Sequence, residues 1–279
     1  MAASDVQGGV RLDEAGAARV EPPEPIHEEE DEATGGTMTL VEHLEELRKR
    51  LFYSLIAIGV FSIIGFIFWS RILDFLAAPL PDISTRLPHD TAGHIQQQKF
   101  ILTTLGGPFM VALKLAIAIG IVLGAPVILY QVWAFISPAL TRRERKYALP
   151  FTLLGVTLFV VGIAVGYAVL RYPVDWLLNF GSNEFVLLPD ADKYLTFVAY
   201  FLLAFGIVFE LPLVLTFLGM VGVVNSRVLR AKRMYILFGL WVLSCFITPG
   251  ADPYSPVIIG IAFTFLFELT VILLRVLKK

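Results

Sequence analysis

The stretch Gly124 to Tyr147, GAPVILYQVWAFISPALTRRERKY, decides how this chain folds. It starts inside an apolar run, passes Pro126 and ends in four basic residues, Arg142, Arg143, Arg145 and Lys146, around one acid, Glu144. An apolar run that leads into a cationic loop reads as a membrane span, and the cations assign that loop to the cytoplasmic side. A carboxylate set among those cations is placed to read a basic ligand.

The rest of the chain agrees with a membrane protein. Of its 279 residues 57% are hydrophobic and only 16% charged, with a mean hydropathy of +0.75. A soluble domain carries roughly 25% charge. Over a third of the charge lies in the first 50 residues, so the remainder is more apolar still. A formal net charge of −2 leaves no nucleic-acid footprint. A single cysteine, Cys245, rules out an intramolecular disulfide and a zinc spacing, and reads as a small membrane-buried filler.

Six apolar spans are expected: Leu51 to Ser70, Pro108 to Ile136, Tyr147 to Leu170, Leu195 to Val221, Met234 to Thr248, and Tyr254 to Leu274. Fourteen lysines and arginines fall in the flanks on one side and five on the other, alternating at every crossing. The richer side is cytoplasmic, which puts both termini there. The fifth span is short: its 15 residues make a helix of roughly 22 Å, against a hydrocarbon core of about 30 Å. Local thinning, packing against a partner, or snorkelling of Lys232 and Arg233 would relieve the mismatch.

The N-terminal segment differs in kind. Residues 1–37 hold three prolines and the run Glu28-Glu29-Glu30-Asp31-Glu32, which reads as a disordered acidic tail and not as a signal peptide. Residues 38–279 form the six-span domain. The outer loops are long and contain apolar stretches such as Ile72 to Leu76, so short helices are expected there. In the last outer turn, Pro249 to Pro253, Asp252 can cap the final helix.

Four acids outside the tail stand out. Glu46 lies in His43-Leu44-Glu45-Glu46-Leu47-Arg48-Lys49-Arg50, before the first span. It reads either as part of a solvated interfacial helix start or as a carboxylate that accepts a guanidinium, a pairing that is bidentate and favours arginine over lysine. Glu144 reads either as neutralised by Arg143 and Arg145 or as a second such acceptor on the same side. Glu210 lies mid-span before Pro212, where a charge costs at least about 2.5–3.5 kcal/mol, so it must face protein, a cavity or a partner. Pro212 is expected to kink the helix. Glu268 follows the same logic nearer the cytoplasmic end. Lys114 is expected to snorkel toward the outer interface. No P-loop, GxSxG, HExxH or CxxC occurs.

Several separated motifs, taken together, resemble the TatC family of the twin-arginine protein translocase. They are His43 to Arg50; Ala78-Pro79-Leu80; Ala125 to Ile136; Pro138-Ala139-Leu140 followed by Glu144-Arg145; Phe209-Glu210-Leu211-Pro212; and Thr248-Pro249 before Asp252. The resemblance runs from about Thr39 to the C-terminus. It implies an all-α membrane fold, six transmembrane helices in a concave, glove-like bundle in the cell membrane, with no catalytic centre and no cofactor. It further implies that Glu46 and Glu144 read the paired arginines of signal peptides on folded passenger proteins, supported by Arg48 and Phe135. Glu210 becomes the intramembrane acid. The fifth helix, with Cys245 and ending at Thr248, becomes the docking site for the single-span partners TatA and TatB. Proton-motive force would drive export, with several copies in one complex among membrane lipid. One departure is visible: a Thr-Pro-Pro-Asp turn reads Thr248-Pro249-Gly250-Ala251-Asp252 here, one residue longer. A competing reading is a proton-coupled secondary transporter of a small solute working through Glu210, which paired inverted repeats would support. An intramembrane enzyme would need a nucleophile or metal cluster.

Overall fold

A computed structural model describes residues 40–80, 100, 102, 104–136, 148–180, 189–248, 250 and 252–276. Among them ten α-helices form and no β-strand: α1 Leu40–Ile67, α2 Trp69–Ala77, α3 Gly107–Ile136, α4 Ala148–Val169, α5 Arg171–Asn179, α6 Ala191–Phe209, α7 Leu211–Met220, α8 Ser226–Ala231, α9 Arg233–Ile247 and α10 Tyr254–Val276. The chain divides into two units, Met1–Glu45 and Glu46–Lys279, with the boundary inside α1. The expected acidic tail lies outside the described residues.

Five helical stretches are long and apolar enough to cross a membrane: Val41–Ile67, Gly107–Ile136, Leu149–Asn179, Ala191–Met220 and Tyr254–Arg275. The chain is therefore an all-α, multi-pass membrane protein. The sixth expected span corresponds to α9, an apolar helix of 15 residues, short of that length. Two features of the spans follow signals already present in the sequence. The first helix begins at Leu40 and carries His43 to Arg50 in one unbroken run with the apolar segment. No proline or glycine separates the polar start from the span, so nothing stops the helix there. The fourth span is two helices, α6 and α7, meeting at Glu210 with Pro212 in the first turn of α7. Proline lacks the N–H that would bond one turn back, which places the break just before it. The outer helix expected around Ile72 to Leu76 is α2, and α5 continues the third span beyond Leu170.

Inside lipid, apolar burial drives little association, so close packing and polar ties hold helices together. The core forms around α6, whose Phe201 and Phe205 are fully buried beside Leu115, Leu170 and Ile259. Helix α4 lies directly against it. A Cβ at Gly162 would sit 2.7 Å from the Phe205 carbonyl oxygen and 2.8 Å from Phe209 Cβ. Helices α1 and α3 meet in the same way, since a Cβ at Gly120 would lie 2.7 Å from the Ile58 carbonyl oxygen. Large side chains such as Phe52, Phe238 and Phe246 point outward, where hydrocarbon is their solvent.

The longer turn before α10 keeps its cap. Asp252 Oδ1 accepts the Ser255 backbone N–H at 2.7 Å, and Oδ2 accepts the Ser255 hydroxyl at 2.8 Å, with both residues buried. Asp252 therefore caps the start of α10, as its position in the sequence implies.

Three outcomes are expected for purified protein in detergent. Gly162→Ala lowers the thermal midpoint by the equivalent of about 1–3 kcal/mol, because backbone must yield. Gly239→Ala, whose added Cβ meets nothing within 4 Å, causes no loss. Asp252→Ala removes the cap and costs about 1–2 kcal/mol in the same melt.

Candidate functional site

Four residues along a helix is close to one full turn, so Glu46 and Arg50 share a face of α1. The Arg50 guanidinium places two donors on one carboxylate oxygen. Its Nε lies 3.0 Å and its Nη2 2.6 Å from Glu46 Oε1. Its Nη1 turns the other way and donates to Gln131 Oε1 on α3 at 3.1 Å. Gln131 thus ties α1 to α3 across 81 positions of sequence. Glu46 and Arg50 side chains keep only 18% and 26% of their surface exposed. Glu46 Oε2 is buried and has no hydrogen-bond partner among the described residues.

That unpaired oxygen is the chemical content of the site. A buried acceptor without a donor costs about 1–3 kcal/mol, more for a charged group. Here the carboxylate is held by one oxygen, while the other is buried without a donor among the described residues. An incoming guanidinium would supply the missing donors.

The other expected site residues are distributed as follows. Arg48 is exposed. It lies two positions from both Glu46 and Arg50, about 200° around the helix, so Arg50 and not Arg48 contacts the carboxylate. Phe135 is half-buried one turn beyond Gln131 on α3. Glu144 lies outside the described residues. Cys245 is exposed on the outward side of α9, its Sγ 3.5 Å from the Trp241 carbonyl oxygen. Thr248 donates its hydroxyl to the Ser244 carbonyl oxygen at 2.6 Å, at the end of α9. Ser244 is the buried residue of that helix.

Glu210 occupies the joint between α6 and α7. Its Oε1 is buried and has no hydrogen-bond partner among the described residues. A Cβ built on Gly155 of α4 would come within 3.2 Å of Glu210 Oε2 and 3.5 Å of Leu129 Cδ1. The absent side chain at Gly155 makes room for the carboxylate. One turn along from Leu129 and Gly155, Trp133 packs against Phe151 and Phe217, with ring centroids 4.9 and 5.0 Å away.

Two further ties were not legible in the sequence. Lys114 does not simply snorkel: its Nζ meets Asp192 Oδ1 at 2.7 Å and Oδ2 at 2.8 Å, joining α3 to the start of α6. Glu268 on α10 pairs with Arg233 on α9, Nε to Oε1 at 2.7 Å, in an ion pair that lacks hydrogen-bond alignment. Sequence reading also passed over Gln131. An uncharged polar residue inside an apolar span was the available signal. Among the described residues no group of three or more His, Cys, Asp or Glu could hold a metal ion.

The family model of Sec-independent protein translocase protein (TatC) matches residues 42–262. A Sec-independent protein translocase protein TatC of Desulforapulum autotrophicum is 38% identical over 239 residues, spanning 85% of this chain and 84% of that protein. The TatC of Escherichia coli K12 is 36% identical over 241 residues, spanning 86% and 89%. A crystal structure of twin-arginine translocase receptor TatC matches with a TM-score of 0.70 at 31% identity, covering 85% of this chain and all of that one. On these matches the chain belongs to the Sec-independent protein translocase TatC family, a family of translocase components and not of enzymes.

Proposed function

We propose that this protein is the receptor of a twin-arginine translocase in the cell membrane, and that it binds signal peptides of folded passengers through paired carboxylates. The Glu46 arrangement carries the reading: an anchored carboxylate with one buried, unpaired oxygen. A guanidinium presents several N–H donors in a planar fork that suits such an acceptor, whereas a lysine ammonium is a point charge. Glu144, in the loop that follows α3, is assigned the second arginine. Arg48 and Phe135 are assigned to the rim of the site. Both termini are cytoplasmic in this reading, and α9 supplies a sixth, short crossing. The lysine and arginine distribution supports that topology.

Glu210 is assigned to partner assembly, inside the membrane. An unpaired carboxylate oxygen at a helix joint offers an acceptor to a polar group on a neighbouring span. The outward face of α9, with Cys245 and Thr248, is assigned to the single-span subunits TatA and TatB. Proton-motive force is the energy source in this scheme, and several copies gather in one complex. Family membership favours this over a transporter of small solutes. Proton-coupled uptake of a small solute by the purified protein alone would reverse that preference.

Crosslinking in membranes tests the receptor. A peptide with Arg-Arg ahead of an apolar segment is expected to crosslink to wild type, and its Lys-Lys counterpart far less, which holds charge constant while changing geometry. Glu46→Ala, and separately Glu144→Ala, should weaken the Arg-Arg signal about tenfold or more at unchanged membrane abundance, the equivalent of one charge-assisted hydrogen bond. Undiminished crosslinking in both variants would refute the site.

Glu210→Ala should leave peptide crosslinking near wild type while lowering co-purification of the single-span subunits. Equal loss of peptide binding in that variant would contradict the division of roles.

A further inference from the structure

Arg50 already does to Glu46 what an incoming arginine would do, and this raises the question of why the site is not closed by its own residue. A guanidinium facing a carboxylate settles most favourably as a fork on a fork, with Nε on one oxygen and Nη2 on the other. Here both donors converge on Oε1, and Oε2 is left over. The third contact explains the offset. Arg50 Nη1 is held by Gln131 Oε1 at 3.1 Å, from a different helix. The backbone beneath is steady as well, since the Arg50 carbonyl oxygen accepts the Ser54 hydroxyl at 3.0 Å.

We propose that Gln131 is a positioning residue that prevents self-occupation of the site. By tethering Nη1 it keeps Arg50 turned onto Oε1 alone and so reserves Glu46 Oε2 for the peptide's guanidinium. This deepens the receptor reading and rests on it. Without the tether, Arg50 swings into the two-oxygen pairing with Glu46 and competes with the ligand. Gln131 acts through Arg50 and touches no part of the peptide. A carboxamide suits the task because it accepts from Arg50 without drawing the guanidinium away, as a second full charge nearer than Glu46 would.

The experiment measures equilibrium binding of a fluorescent peptide, with Arg-Arg ahead of an apolar stretch, to the full chain in nanodiscs. Gln131→Leu is expected to bind about tenfold more weakly, the equivalent of one hydrogen bond to a charged group. Gln131→Asn, which keeps the amide but shortens its reach by one methylene, is expected to fall between Gln131→Leu and wild type. The decisive arm is the Arg50→Gln background. There Gln131→Leu should cause no further loss, because the competitor is gone. Binding by Gln131→Leu equal to wild type would overturn the proposal. So would the same loss in the Arg50→Gln background, which would mean that Gln131 acts on packing or on the peptide directly. Equal binding by wild type and Glu46→Ala is a separate result, and it would remove the receptor reading itself. A folding defect is distinguished by the thermal midpoint, which the Gln131→Leu change is expected to leave close to wild type.

Discussion

Hydrocarbon cannot hydrogen-bond, and that single constraint organises this protein. Backbone polar groups must be satisfied within helices, so the apolar segments have no other regular form available. Charged side chains inside or near the spans must find partners among themselves. Some do so across large separations in sequence, Lys114 with Asp192, Arg233 with Glu268 and Arg50 with the amide of Gln131, while Arg50 also pairs with Glu46 one turn away. Among the described residues, one carboxylate oxygen each of Glu46 and Glu210 remains buried without a donor, an arrangement that is costly in such a medium.

The glycines complement these ties. Lipid tails solvate leucine as well as another helix does, so a bundle gains stability from intimate contact and not from exclusion of water. At Gly162 and Gly120 the approach is so close that a methyl group would meet backbone atoms. Tight glycine seams and sparse polar ties together give a framework in which a carboxylate can be held to one geometry. That rigidity matters at Glu46. A single exposed ion pair contributes only about 0–1 kcal/mol, whereas an acceptor fixed in place and shielded from water can discriminate between cations of equal charge.

The sequence was most legible where the signal is local. Apolar runs announced the long helices, and Pro212 announced the break at Glu210. The stretch from Ile72 to Leu76 announced α2, and Asp252 announced the cap of α10. The short α9 was foreseen from Lys232 and Arg233 on one side and Pro249 on the other. Legibility failed where the information is carried by tertiary contacts. Nothing local to Lys114 points to Asp192, 78 positions away. Helical phase alone would have ranked Arg50 above Arg48 as the neighbour of Glu46. Gln131 was hidden because one amide in an apolar helix has many structural uses, and only the facing guanidinium selects among them. The polar start at His43 to Arg50 reads as an interfacial helix leading into the first span, and α1 carries both in one helix.

Helix α3 carries a polar tether near each end: Lys114 to α6 and Gln131 to α1. Seventeen positions separate the two, which is about 25 Å along the axis. A rod clamped at two stations cannot spin freely at either. The two ties hold α3 against rotation about its own axis on both sides of Pro126, the one proline inside it, so any flexing at that proline is confined between fixed ends.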